Sequence, residues 1–217
     1  IMCAGNNEVI KWRTAKAQEL MAYLVHHKGK YVHKLSILEN IWPEKQEEQA
    51  TKLLHTNIYY IRKTLKRVGF DKAITYFNNM YKFNMEGIYC DADELENINK
   101  TYREVNDENI QMFERAAGLY QGDYFEQNGF WWANSEQERL THVYTDILKR
   151  VSDYYILCND YNKAVIYMLR ILEKSPYNEE IHQLMLIAYI CMDDRASFVE
   201  HYKRMVNLFR TELGVEV

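Results

Sequence analysis

Residues 46–69, QEEQATKLLHTNIYYIRKTLKRVG, hold the densest group of side chains with chemistry to offer in this sequence. Lys52, His55, Thr56, Tyr59, Tyr60, Arg62, Lys63, Lys66 and Arg67 supply cations, hydroxyls and aromatic rings, and no acid interrupts them between Leu53 and Gly69. Such a set binds a polyanion rather than transforming a substrate. Lysine and arginine neutralise phosphates and release condensed counterions, whereas His55, Thr56 and Tyr59 are able to reach base edges. The apolar residues between them, Leu54, Ile58, Ile61, Leu65 and Val68, fall at offsets of 4, 3, 4 and 3. That spacing is one buried face of a helix, with Ala50 and Asn57 beside it. The polar set is then the outer face of a recognition helix. Its N-terminal half faces the bases, and Arg62, Lys63 and Lys66 face phosphates.

Other chemistries lack their residues. There is no GxxxxGK followed by Ser or Thr, no GxGxxG and no HExxH, and none of the five serines sits in a GxSxG elbow, so catalysis is not expected. Cys3, Cys90, Cys158 and Cys191 are scattered, which argues against a disulfide framework or a zinc ribbon. His26, His27 and His33 match no ligand spacing and are read as helix-end histidines, so neither a metal nor another cofactor is expected. No apolar run approaches the roughly 20 residues of a membrane span, and with no signal peptide visible the expected location is the cytoplasm. The sequence begins at Ile1 rather than Met, and is expected to be a piece of a longer protein.

The net charge of −4 conceals a division. Residues 1–92 hold 14 Lys and Arg against 9 acids, whereas residues 93–217 hold 13 against 22. A basic half followed by an acidic half fits one domain for nucleic acid and another for protein or solvent.

Two prolines and eight glycines in 217 residues leave few breaks, so a mainly helical chain is expected. Residues 9–12 read as a short strand, and Thr14 as the N-cap of a helix with Ala17, Leu20, Met21, Leu24 and Val25 buried, stopped by Gly29. Leu35, Leu38, Ile41 and Trp42 mark a second helix ended by Pro43. After the long third helix, residues 73–77 and 81–85 alternate as two strands around Asn78 and Asn79, which tolerate a tight turn. Three helices and a hairpin make a winged helix over residues 1–92. Asp93 is expected to cap the first helix of the acidic half. Further on, residues 159–176 and 193–210 align at an offset of 34, with Ala164, Met168, Ile171 and Pro176 at tetratricopeptide positions. Residues 93–217 are thus expected to be an all-α, tetratricopeptide-like solenoid.

KWRTAKAQELMAYLVHHKGKYVHKLSILENIWPE, NIYYIRKTL and the YKF strand resemble the response-regulator-like winged helix of the SARP-type bacterial transcriptional activators. LYQGDYFEQNGFWWANSEQERL, DYNKA, SPYNEEIHQLMLIAYICMDDRASFVEHYKRM and ELGVEV resemble the bacterial transcriptional activator domain that follows it. The resemblance implies double-stranded promoter DNA as partner, with the third helix in the major groove and Asn78, Asn79 and Lys82 of the wing at the neighbouring backbone. It also implies protomers side by side on direct repeats, contact with RNA polymerase, and an upstream receiver or sensor domain. One departure stands in the wing, where Met80 replaces the family's glycine. Trp131 and Trp132 are candidate anchors for a partner or for a domain interface. The rival reading is a tetratricopeptide adaptor whose winged helix binds protein, but such an adaptor has no reason to keep the outer face of the long helix free of acids from Leu53 to Gly69.

Overall fold

In a computed structural model, which describes residues 10–214, Thr14 opens the first helix, α1 (Ala15–His26): its hydroxyl oxygen accepts from Ala17 N at 3.0 Å. The same hydroxyl donates to Asn57 Oδ1 at 3.1 Å, fastening the start of α1 to the middle of α3 (Glu47–Arg67). Between them lie the two-residue strand β1 (Val32–His33) and α2 (Lys34–Ile41), capped by His33, whose Nδ1 accepts from Leu35 N. Lys16 donates to Ile41 O, closing the C-terminus of α2 against α1. Buried Leu20, Met21, Leu24, Ile37, Ile41, Leu54 and Ile61 form the centre of this unit's core. Strands β2 (Ile74–Phe77) and β3 (Met80–Phe83) then form the wing.

The sheet is antiparallel in the order β1-β3-β2, with Tyr76 opposite Tyr81 and Val32 on the other side of Tyr81. Asn78 (φ 45°) and Asn79 (φ 58°) both adopt the left-handed conformation, as a two-residue hairpin turn of the primed type requires. This tolerance of asparagine lets Met80 stand outside the turn, at the first position of β3.

The acidic half forms a second compact unit. It begins at Cys90, and the short segment Phe130–Ala133 belongs to the first unit. The second unit runs through α4 (Asp91–Thr101), α5 (Ile110–Leu119), α6 (Asn134–Leu157), α7 (Tyr161–Lys174), α8 (Glu179–Cys191) and α9 (Arg195–Leu208), closing in a π turn, Phe209–Leu213. Its core holds Phe113, Ala117, Ile147, Leu148, Val151, Met168 and Met185. Arg139 of α6 bridges Glu136 and the buried Glu96 of α4 at 2.7 and 2.6 Å, and Lys100 meets the other oxygen of Glu96.

The 34-residue period recurs in hydrogen-bond detail. Asp160 and Asp194 cap α7 and α9, accepting from Lys163 N and Ser197 N. The preceding Asn159 and Asp193 are both left-handed, at φ 58° and 54°. Cys158 N donates to Tyr154 O and Asp160 N to Tyr155 O, and 34 residues later Met192 N donates to Ala188 O and Asp194 N to Tyr189 O. The two α-α corners are thus the same turn built twice.

Several local expectations are corrected. Residues 10–12 carry no strand, and Val9 lies outside the described residues. Leu35 is exposed and Ile37 takes its place in the core, because α2 begins at Lys34 and its stripe turns accordingly. Val68 is exposed, since α3 ends at Arg67 and Val68 is its C-cap. The first helix of the acidic half starts at Asp91 rather than after Asp93, so Asp93 sits within its first turn, where it still complements the helix dipole.

Candidate nucleic-acid interface

Helix α3 divides into two sides. Ala50, Leu54, Asn57, Ile58, Ile61 and Leu65 are buried, with Asn57 donating to Leu53 O and accepting from Thr14. Opposite runs an exposed ridge, Lys52, Thr56, Tyr59, Lys63 and Lys66, at offsets of 4, 3, 4 and 3, flanked by exposed His55 and Arg62. Tyr59 is 59% exposed at the middle of this ridge. The geometry separates three kinds of residue that look alike in the sequence.

Some cations are already engaged. Lys52 pairs with Glu48 at 2.7 Å one turn earlier, an exposed pair of the kind worth about 0.3–0.5 kcal/mol. Lys66 lies 3.8 Å from Asp71. Arg62 donates from Nη2 to Ile74 O at 3.0 Å and so holds the first strand of the wing to α3. Lys63 has no acidic partner among the described residues, which leaves its ammonium free for a phosphate.

The hydroxyls and rings differ as well. Thr56 donates to Lys52 O at 2.9 Å and keeps its lone pairs for a donor. Tyr60 is half-buried, with its ring under the Arg13 guanidinium at 4.1 Å and 5.6 Å from the ring of Tyr59. It supports Tyr59 rather than standing free. Tyr59, Arg62, Lys63, Lys66 and Lys72 line one open cleft of about 340 Å³ at the C-terminal end of α3.

In the wing, Tyr76 OH donates to Asn79 Oδ1 at 2.8 Å and Lys34 N donates to Asn79 O at 2.7 Å, so Asn79 is fixed from both sides. Lys82, on the outward face of β3, stands 5.6 Å over the ring of Tyr31. Phe77, beside the turn, is exposed. Arg13, Tyr31 and Lys72 join this surface without being expected there from the sequence. Arg13 and Tyr31 reach it through the fold, far from α3 in sequence, whereas Lys72 lies in the loop just past the helix.

The two tryptophans part company. Trp132 packs into the first unit, edge-on to Tyr23 at 5.0 Å and parallel to Phe130 at 5.2 Å. Trp131 is 57% exposed.

Residues 8–80 match the family model described as transcriptional regulatory protein, C terminal, and residues 90–217 match the bacterial transcriptional activator domain. The chain is similar to transcriptional regulatory protein MoaR1 of Mycobacterium tuberculosis (strain ATCC 25618 / H37Rv) and of Mycobacterium bovis (strain BCG / Pasteur 1173P2). Each is 19% identical over 212 residues, covering 94% of this chain and 68% of that protein. A solved structure of Mycobacterium tuberculosis EmbR in complex with a low-affinity phosphopeptide shares the fold, with a TM-score of 0.75 at 15% identity. The match takes in 97% of this chain but spans only 58% of the EmbR chain. No described helix is long and apolar enough to cross a membrane. A winged helix followed by a bacterial transcriptional activator domain makes this chain a member of the SARP-type family of bacterial transcriptional activators.

Proposed function

We infer that this chain is a sequence-specific, DNA-binding activator acting in the cytoplasm, with α3 in the major groove and the wing at the adjacent backbone. The observation that carries the reading is the exposed, acid-free ridge of Lys52, Thr56, Tyr59, Lys63 and Lys66, directly opposite the buried stripe of the same helix. Thr56 and Tyr59 read base edges, with His55 beside them, while Lys63 and Lys66 neutralise phosphates. Arg62 also ties the wing to α3, so that Asn78, Asn79 and Lys82 travel with the recognition helix. Residues 93–217 serve protein contacts, between protomers on direct repeats and with RNA polymerase, because an acidic unit does not add to the affinity for phosphate. Trp131 is an exposed aromatic available for such a contact. A receiver or sensor domain outside this sequence would supply the activating signal.

Selection from a randomised duplex pool, followed by anisotropy titration, tests the roles within α3. Tyr59→Ala is expected to flatten the base preference at one or two positions, at about 1–3 kcal/mol per lost base contact. Lys63→Ala is expected to weaken all duplexes alike and to lower the salt slope by about 1. If Lys63→Ala altered the preferred sequence while Tyr59→Ala left it intact, the assignment of the ridge would be wrong.

A further inference from the structure

Helix α8 is apolar nearly all the way round: apart from Glu179, Glu180, His182 and Gln183, its residues are aliphatic, methionine, tyrosine or cysteine. A helix of that composition is ordinarily enclosed on every side. Here Ile181, Met185 and Ala188 are buried, whereas Ile187 is 53% and Ile190 64% exposed. Leu157, the last residue of α6, is 82% exposed. Leu157 and Ile190 immediately precede Cys158 and Cys191, which line one open cleft of about 610 Å³ together with Asp160 and Asp194. The apolar stripe therefore runs into an acidic cleft.

The surrounding charge selects the occupant. Glu179 and Glu180 stand at the N-terminus of α8, and Asp193 and Asp194 follow its C-terminus, against two cations, Arg195 and Lys149, the latter paired with Glu180 at 3.2 Å, so that acids remain in excess at both ends. A second copy docked antiparallel on the same face would set acids against acids at both ends. Anionic lipid and nucleic acid would meet the same repulsion. We propose that the stripe Leu157, Ile187 and Ile190 docks an amphipathic protein helix whose aliphatic ridge is flanked by lysine or arginine. Aliphatic contact supplies the affinity and the acidic ends fix polarity and register. This surface lies on the second unit and owes nothing to α3, so it stands or falls independently of DNA reading.

The probe is a synthetic helical peptide of about 16 residues, some four turns, with leucines along one face and lysines at both ends, beside a copy with glutamates at the ends. Titrated with the whole chain, the lysine-ended peptide is expected to bind about tenfold tighter than the glutamate-ended one. Ile187→Glu with Ile190→Glu, and separately Leu157→Glu, is expected to abolish that binding while thermal unfolding and duplex binding stay unchanged. Failure of the lysine-ended peptide to bind, or equal binding of the two peptides, would overturn the proposal. So would a dimer of the whole chain that the double variant converts to monomer, since the occupant would then be a second copy.

Discussion

Acidification from pH 7 to pH 4 is expected to remove about 3 kcal/mol of stability from the α8–α9 pair through a single imidazole. His201 is buried, and its Nε2 lies 3.0 Å from Nδ1 of buried His182, whose Nε2–H donates to Pro176 O at 2.8 Å. Because a carbonyl only accepts, neutral His182 must present a bare Nδ1 to His201. Burial, then the neighbouring His182 and Arg204, pull the His201 pKa down from 6.5 to about 4. The ring of Phe209 faces His182 and that of Tyr189 faces His201, and neither supplies an acid. A folded-state pKa below the unfolded value means that the unfolded chain takes the proton more readily. The stability is therefore intact above pH 6.5 and lost as the pH falls through 4. Other groups also titrate in this range, so the comparison is with His201→Gln, which cannot gain the proton. Thermal unfolding followed at pH 7 and pH 4 should show a smaller drop for the variant. An identical drop in both proteins would mean that His201 titrates normally.

The largest loss from one substitution is expected at Phe113. Its ring is fully buried on α5, near Tyr102 and among the side chains of α4 and α6. Truncation to alanine removes transfer free energy and leaves a cavity, together worth about 3–5 kcal/mol in a site that cannot collapse. Urea titration of Phe113→Ala should show a transition well below that of the unaltered protein. A loss under about 1 kcal/mol would show that the second unit is loosely packed there.

Much of this architecture is legible in the sequence because it is periodic. The buried stripe of α3, the Thr14 cap, the Asn78–Asn79 turn and the 34-residue repeat each follow from local sequence, and local physics settles each. What escapes is fixed by contacts distant in sequence. Strand β1 has two residues, and no propensity marks it; it exists because Val32 pairs with Tyr81. The eight-residue α2 shows barely two turns, so a stripe through Leu35 fits the sequence as well as one through Ile37. At the acidic helix start, carboxylates in the first turn look much like a carboxylate at the cap. The repeat alignment also weakens at its end: Met168 is buried, but its counterpart Tyr202 on α9 is exposed, as terminal repeats tend to be.

At the nucleic-acid surface, residue types are readable but their employment is not. Nothing in the sequence tells Lys63, which has no acidic partner among the described residues, from Lys52 and Lys66, which have one, or reveals that Arg62 spends a donor on Ile74 O. Tyr59 and Tyr60 are neighbours, yet only Tyr59 stands clear, because Tyr60 is covered by Arg13.

DNA reading by α3 makes duplex binding by the whole chain depend steeply on salt, which anisotropy between about 50 and 200 mM monovalent salt measures. With Lys63, Lys66, Lys82 and one further cation on phosphates, log K should fall with a slope of about −3 to −4, close to a hundredfold loss over that range. An affinity unchanged by salt, or a slope that the Lys63→Ala variant leaves intact, would contradict the assignment of α3 as the DNA-reading helix.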